Sequence, residues 1–514
     1  MAESSPSWPP RFEELWHVLR QPLSLPPEPS PSVEPLSYAE PLPLDAPVAA
    51  SLRRLLGDDA VRTEPELLLQ YGGGQSYEGF VRRAAATPEE LPRAIVFPDS
   101  EQMLASLIVW AEERDFSLLP WGSGLHPYHD KRIEKPFLVV DMDRMDRIYP
   151  IDRLRGEVRV QGGSRWIEVD RRLSAVGLTL GYQHPVVNLS IGGRVASNDC
   201  NLFELRYGPL REALRTLRMI TSRGPIHLGN PEDARHSLWS LAVGQHGRWG
   251  MITEVGLRLY PQAQEGLLVK AEFGSWAEAI GAARQLVDDR LPLLFVMAWP
   301  STLDSIMRPS DERPPLVRLR RKLGGREEGQ KIVLWVAMDG RTECLTLARK
   351  IVSEVLQGNG GTALLTEKVA PGDHPFDDLF LVSVGHCRLC AQELWKRGIF
   401  ATTISHPAAW DNAAEALADW EGSVASVLQA SGGTEAMIAS IFFAQRSDVR
   451  FRSLLIARQA EGGAAAWQRQ MEMLASVSEA AVRRWQPGSY TTVLDARLVR
   501  ALTEALDPAG VMVR

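Results

Sequence analysis

The residues of this 514-residue chain best suited to chemistry sit in three glycine-bearing stretches. The first is Pro120-Trp121-Gly122-Ser123-Gly124-Leu125-His126, set between the apolar runs Phe116 to Leu119 and Phe137 to Val140. The second is Leu189-Ser190-Ile191-Gly192-Gly193-Arg194-Val195-Ala196-Ser197-Asn198, followed nine residues later by Tyr207-Gly208. The third is Gly244-Gln245-His246-Gly247-Arg248-Trp249-Gly250-Met251-Ile252-Thr253, which runs into an alternating strand, Val255 to Tyr260. Glycines so placed let backbone N–H groups approach an anion closely, because no Cβ blocks the path and positive φ carries little strain. One such loop is an ordinary turn. Three in order, with strands between them, imply a large phosphorylated cofactor wrapped by several segments.

The elements that must position these loops are legible from periodicity. From Ala94 the pattern predicts a strand (Ala94 to Phe97), a helix (Ser100 to Arg114) and a strand (Phe116 to Leu119). Ser100 is a natural N-cap, and Met103, Leu104, Leu107, Ile108 and Ala111 share one face of that helix. A second α+β unit follows, with Val158 to Gln161 as strand, Trp166 to Val176 as helix, and later Leu210 to Ile220. Beyond Pro261 come a strand (Gly266 to Phe273), a helix (Trp276 to Asp288), strands at Leu293 to Trp299 and Lys331 to Met338, and a helix (Glu343 to Leu356). That order predicts a ferredoxin-like domain on an antiparallel sheet. Arg308 to Arg326 reads as a basic exposed loop and Ala464 to Trp485 as helix. Near the start, Ala49 to Leu56 looks helical and Thr63-Glu64-Pro65-Glu66 looks like a helix start. No Lys-Ser/Thr follows Gly72–Gly74, which argues against a nucleotide P-loop there.

The three stretches together resemble the FAD-binding domain of the vanillyl-alcohol oxidase / p-cresol methylhydroxylase superfamily. Its loops read P-x-G-G-G-T-S, T-I-G-G-x-x-A-x-N and G-S-E-G-T-L-G-I-I-T. Val158-Arg159-Val160-Gln161-Gly162-Gly163 stands at the family's V-x-V-x-A-G, and Arg206-Tyr207-Gly208 at its R-Y-G. Leu506-Asp507-Pro508-Ala509-Gly510-Val511-Met512 is similar to its terminal L-D-P-x-G-I-x-N-P. Tyr71 to Arg83 resembles a G-x-S-x-x-D stretch of the alkylglycerone-phosphate synthase branch, the branch this chain is most like. The resemblance implies an α+β protein. A two-subdomain FAD-binding domain of the p-cresol methylhydroxylase type would span 91–262, and a ferredoxin-like α+β cap over the isoalloxazine 263–463. A C-terminal helical segment, 464–514, would return to the FAD domain. A proline-rich arm (1–50) and a helical segment (51–90) would precede them.

Carried over by position, the resemblance puts the pyrophosphate of FAD on Pro120, Trp121, Gly122, Ser123, Gly124, Leu125 and His126. More of the cofactor falls on His184 to Ser190, on Gly192 and Gly193, and on Ser197, Asn198 and up to Cys200. The isoalloxazine side falls on His246, Gly247, Gly250 and Ile252. The histidine that binds FAD covalently in some relatives aligns with Leu125, one place from His126, so a non-covalent cofactor is expected.

Catalytic candidates come from the same resemblance. Arg388 stands near an L-R-D arginine that contacts the anionic substrate in the synthase branch. His406 lies in Thr402 to Asp411, which matches that branch's D-T-x-E-T-A-x-x-W-S at Trp410 but lacks its acidic residues. No histidine follows His406 in the sequence, whereas the family's histidine motifs would fall at Ala439 to Gln445 and Ser476 to Val482. A flavin catalyst needs a group to take a substrate proton, and imidazole suits that task at neutral pH. Tyr490, Arg388, His406 and His246 are the remaining candidates. Three functions are compatible with this pattern. One is flavin-dependent oxidation of a small hydroxylated or anionic substrate. Another is a synthase-like exchange of an acyl for an alkyl chain without net redox. The third is an FAD-binding accessory subunit without catalysis of its own.

Composition sets the frame. A length of 514 residues implies two or three domains, with 45% apolar and 24% charged residues as in ordinary globular proteins. A net charge of -7 gives no electrostatic case for nucleic acid. No apolar run is long enough for a bilayer, and the start lacks a signal-peptide pattern. Four cysteines argue against a disulfide scaffold and for the cytoplasm. Cys387 and Cys390 lack a second ligand pair, so no metal site is expected. The first 50 residues hold 12 of the 35 prolines and read as an extended arm, available to a protein partner. A small-molecule substrate is expected, and a homodimer is one assembly open to such a chain.

Overall fold

The computed structural model describes residues 38–74, 76–124, 133, 135–183, 189–198, 201–229, 242–303, 331–371, 392, 394–430, 436–458 and 496–513, with scattered positions between 469 and 484. Most of the proline-rich arm, the basic loop at 308–326, most of 464–485 and the Cys387/Cys390 pair lie outside the described residues. The chain forms two compact units. One holds Leu36–Asn201, Gly208–Gln262 and Tyr490–Arg514, and the other includes Leu202–Tyr207 and Ala263–Ser489.

The first unit begins with helix α1 (Ala46–Leu56), followed by β1 (Val61–Arg62), α2 (Pro65–Tyr71), α3 (Tyr77–Ala85) and β2 (Ala94–Val96). Helix α4 (Glu101–Glu113) then leads to β3 (Ser117–Trp121) and β4 (Phe137–Asp141). The sheet order is β1-β2-β4-β3, with β2, β4 and β3 parallel and β1 antiparallel at the edge. Ser100 caps α4 through Met103 N, and Leu104, Leu107, Ile108 and Ala111 are buried on its inner face at the predicted helical spacing. Each such side chain fully removed from water stabilises the fold by about 1.5–3 kcal/mol. The C-terminal residues widen this sheet. Leu118 N donates to Val511 O (2.7 Å) and Val513 N to Leu118 O (3.2 Å), so the tail runs beside β3. Asp507, fully buried, accepts from Val511 N and Met512 N (2.9 and 3.0 Å) and fixes the turn that delivers the tail.

The second sheet of this unit is antiparallel. Its elements are β5 (Glu157–Gln161), α5 (Trp166–Ser174), β6 (Leu178–Thr179), α6 (Ile191–Ser197), β7 (Leu214–Thr221), β8 (Gly224–Leu228), β9 (Met251–Arg258) and β10 (Tyr260–Pro261). The strand order is β5-β9-β7-β8, with β6 and β10 paired as a separate ribbon. The second glycine stretch is therefore a capped helix rather than a loop: Ser190 Oγ accepts from Gly193 N (3.3 Å) and opens α6. The strand after the third stretch starts earlier than its alternation suggests, at Met251, and is buried on both faces.

The other unit is built on a seven-stranded antiparallel sheet. Its strands are β11 (Glu265–Phe273), β12 (Leu293–Pro300), β13 (Ile332–Gly340), β14 (Thr362–Val369), β15 (Ile399–Ala408), β16 (Ala436–Ala444) and β17 (Val449–Arg458). The helices are α7 (Trp276–Asp288), α8 (Thr342–Gly358) and α9 (Ala413–Ala430). The sheet order β14-β11-β13-β12-β16-β17-β15 contains the ferredoxin-like 4-1-3-2 arrangement in its first four strands. On one face, register aligns His406 with Phe451 and Phe442. On the same face Trp420 of α9 donates to Ser453 Oγ (2.8 Å). On the other face Lys270 sits over the Trp335 ring (4.1 Å) and pairs with Glu367 (3.0 Å). The short helix Glu204–Tyr207 belongs here through Arg206, which pairs with Asp339 (3.0 Å), and through Arg446, which donates to Leu205 O and Arg206 O. Among the described residues no helix is long and apolar enough to cross a membrane.

Candidate functional site

The first glycine loop leaves the carboxyl end of β3, a parallel strand, which is where open α/β sheets offer a crevice to ligands. Its turn closes on its own tryptophan. Gly124 has φ +64°, and a Cβ there would lie 2.2 Å from the Trp121 ring. Trp121 in turn packs on Tyr71, with ring centroids 4.8 Å apart. A Cβ on Gly122 would lie 2.1 Å from Ser190 Oγ, so the first loop touches the start of α6 directly. Ser190 N also donates to Ser123 Oγ (2.8 Å).

The remaining stretches close around the same point. Gly192 N donates to Gly162 O (2.7 Å) and Gly162 N to Thr253 O (2.9 Å), which joins α6 to β5 and β9. At the far end of α6, where Ser197 and Asn198 finish the helix, Gly244 N donates to Val195 O and His246 N to Ala196 O (3.0 and 2.9 Å). Gly247 then stands against the Pro120 ring of the first loop, and Gly250 against the carbonyl of Ile220. Trp249 is buried and donates through Nε1 to Thr503 Oγ1 (3.0 Å) on the terminal helix Ala496–Leu506. All three glycine-bearing stretches thus converge in one cradle, joined by the Gly162-Gly163 segment. These contacts revise the reason for the glycines. At Gly122, Gly124 and Gly193 a Cβ would first meet Ser190, Trp121 and Ser190 again, so the protein's own packing already crowds these positions.

A polar chain that the residue pattern does not announce runs from Tyr71 to Ser123 of the first loop. Tyr71 Oη donates to Asp141 Oδ2 (2.6 Å), and Asp143 N donates to Asp141 Oδ1 (2.9 Å). Arg165 pairs with Asp143 through Nη2 and donates through Nη1 to Ser123 Oγ (2.7 Å). Burial, reinforced by the charge of Asp143, pushes the Asp141 carboxyl up to about 7, against the pull of its two hydrogen bonds. Burial and the Asp141 charge likewise raise the Tyr71 hydroxyl. One signal was available: an aspartate ends the otherwise apolar run Phe137 to Val140, at the carboxyl end of a parallel strand.

The catalytic candidates fare differently. Arg388, Tyr490, Leu125 and His126 lie outside the described residues, as do 184–188 and 199–200. His406 is 2% exposed, stacked on Phe451 (5.3 Å) and close to Trp420 (4.5 Å). Neither ring nitrogen has a hydrogen-bond partner among the described residues, and burial pushes its pKa down to about 3. The imidazole is neutral and enclosed by aromatics on the helix-covered face of the sheet, the setting of a packing residue.

Residues 92–229 match the family described as FAD binding domain. This chain carries an FAD-binding domain. The serine hydroxyls, the Cβ-free backbone and the Arg165 guanidinium gathered in the cradle are groups of the kind that phosphate oxygens accept hydrogen bonds from. The chain is 25% identical over 197 residues to the mitochondrial D-lactate dehydrogenase [cytochrome] of Arabidopsis thaliana, covering 38% of this chain and 35% of that protein. It is 23% identical over 225 residues to the alkyldihydroxyacetonephosphate synthase of Trypanosoma brucei brucei, covering 41% and 36%. It is 25% identical over 257 residues to glycolate oxidase subunit GlcD of Bacillus subtilis, covering 48% and 53%. The match thus spans roughly a third to a half of these relatives' lengths. Among solved structures, an alkyldihydroxyacetonephosphate synthase superposes with TM-score 0.76 at 16% identity, over 97% of this chain and 91% of that one. A substrate-bound p-cresol methylhydroxylase superposes with TM-score 0.63 at 15% identity, over 90% and 94%. The protein is a flavoprotein of p-cresol methylhydroxylase-type fold, with FAD-linked oxidoreductases among its relatives.

Proposed function

We propose that the protein is an FAD-dependent oxidoreductase that oxidises a small hydroxylated or anionic substrate. The observation that supports this reading is the convergence of the three glycine-bearing stretches on one cradle. In this reading Pro120–His126 hold the pyrophosphate, Ser190, Gly192, Gly193, Ser197 and Asn198 hold more of the dinucleotide, and His246, Gly247, Gly250 and Ile252 flank the isoalloxazine. FAD, when bound, supplies a two-electron acceptor for a substrate hydride. The chain must add orientation, exclusion of water and a group that takes the substrate's hydroxyl proton. His406 is poorly placed for that transfer, since its ring is enclosed by Phe451 and Trp420. Tyr490 is our proposed proton acceptor and Arg388 our proposed contact for an anionic substrate.

Anaerobic mixing tests this directly. A panel of 2-hydroxy acids should include one that bleaches the bound flavin. If none does, and an acyl glycerone phosphate with a fatty alcohol turns over while the flavin stays oxidised, the protein is a synthase-like catalyst. If no substrate acts in either assay, the accessory-subunit reading gains. Arg388→Ala should raise KM for an anionic substrate and leave flavin content unchanged.

A further inference from the structure

The feature that the cradle's glycines do not account for is Arg165. Its backbone forms an antiparallel bridge with Ser190, at the start of the second stretch, while its side chain reaches Ser123 of the first. Ser123 Oγ accepts from both Arg165 Nη1 (2.7 Å) and Ser190 N (2.8 Å), so one hydroxyl is the knot between the two stretches. The other arm of the guanidinium pairs with Asp143, just past the end of β4. Asp143 N is in turn held by Asp141, and Asp141 by the Tyr71 hydroxyl. A guanidinium suits this duty because its planar fork serves two acceptors at once in fixed geometry, which a single ammonium on a flexible stem does not.

We propose that Arg165 is a positioning residue for FAD, which sets the first loop against α6 by holding the Ser123 hydroxyl. This rests on the reading of Pro120–His126 as the pyrophosphate loop. Arg165 acts on the cofactor through Ser123, so its effect must depend on that hydroxyl. The side chain is about a quarter exposed and belongs to neither apolar core of this unit, so its removal is expected to spare them. Both features separate a positioning role from general destabilisation.

The test is FAD titration of the full-length chain stripped of flavin, in a cycle of Arg165→Ala, Ser123→Ala and the double variant. Loss of one charge-assisted hydrogen bond corresponds to about 10- to 100-fold in Kd. Arg165→Ala is expected to weaken FAD by that factor with Ser123 present, and by less than about threefold in the Ser123→Ala background. Arg165→Lys, which keeps the cation and the Asp143 pair but loses the fork, is expected to weaken FAD like alanine. It decides the matter if the alanine variant does not fold. Unchanged affinity in Arg165→Ala, equal losses in both backgrounds, or full affinity in Arg165→Lys would each overturn the proposal. Gly122→Val separates the role of Arg165 from that of the loop. If it loses FAD while the Arg165 variants keep it, only the role of Arg165 falls. If it also keeps FAD, the loop reading falls with it.

Discussion

Asp141 in the FAD-binding unit and His406 in the other unit are both titratable side chains at 2% exposure, and they make opposite use of burial. Asp141 holds two hydrogen bonds and, through Asp143 and Arg165, connects to the cradle. His406 packs against the Phe451 and Trp420 rings, its nitrogens have no hydrogen-bond partner among the described residues, and burial leaves it neutral. Burial alone therefore does not mark a functional group. The two groups differ in polar connection, which Asp141 has to the glycine stretches and His406 lacks among the described residues.

The largest effect is expected at Asp507, whose carboxylate accepts from the buried amides of Val511 and Met512. Each buried amide left unpaired costs about 1–3 kcal/mol, so Asp507→Ala should lower the melting temperature of the full chain by many degrees. The tail runs along β3, so flavin should leave with that transition. A wild-type melt would show that the tail does not brace the loop.

A smaller effect follows from pH. The Asp141 carboxyl titrates near 7 in the folded state against 3.8 in the unfolded chain. The folded state thus binds the extra proton between those values, and stability falls as pH rises through that window. Denaturant melts from pH 4 to pH 8 should show the wild type losing stability relative to Asp141→Asn as pH rises. A difference between the two that does not change across the window would mean that Asp141 is an ordinary ionised carboxylate.

The smallest effect is expected at His406. A leucine of similar volume should change stability by less than about 1.5 kcal/mol and turnover by less than about twofold. A proton acceptor, by contrast, contributes about 10²–10⁴ to rate. A loss of that size in His406→Leu would return the residue to the reaction and undo the comparison with Asp141.

Much of this was readable from residue patterns, and the exceptions have physical causes. Helix α4 shows its cap and its buried face in the spacing of Ser100, Leu104, Leu107, Ile108 and Ala111. The ferredoxin-like order of β11 to β14 follows from strand–helix alternation. The second glycine stretch misled because Gly192 and Gly193 look like a loop, while Ser190 is an N-cap that starts a helix. The cross-chain network from Tyr71 to Ser123 joins residues up to 70 positions apart, a separation that no local periodicity encodes. His406 stood out as the last histidine of the chain, yet strand register puts it on the face that α9 covers.

The most direct test of the cradle is the visible spectrum of the purified protein, before and after acid precipitation, beside that of Gly122→Val. A Cβ at that glycine would lie 2.1 Å from Ser190 Oγ, so either the loop or the cap of α6 must shift, and FAD is expected to weaken by about 10- to 100-fold. The account predicts flavin bands in the wild type that move to the supernatant, and a folded variant with little flavin. A folded wild type that is colourless and cannot be reconstituted with FAD, or a variant with full flavin content, would contradict it.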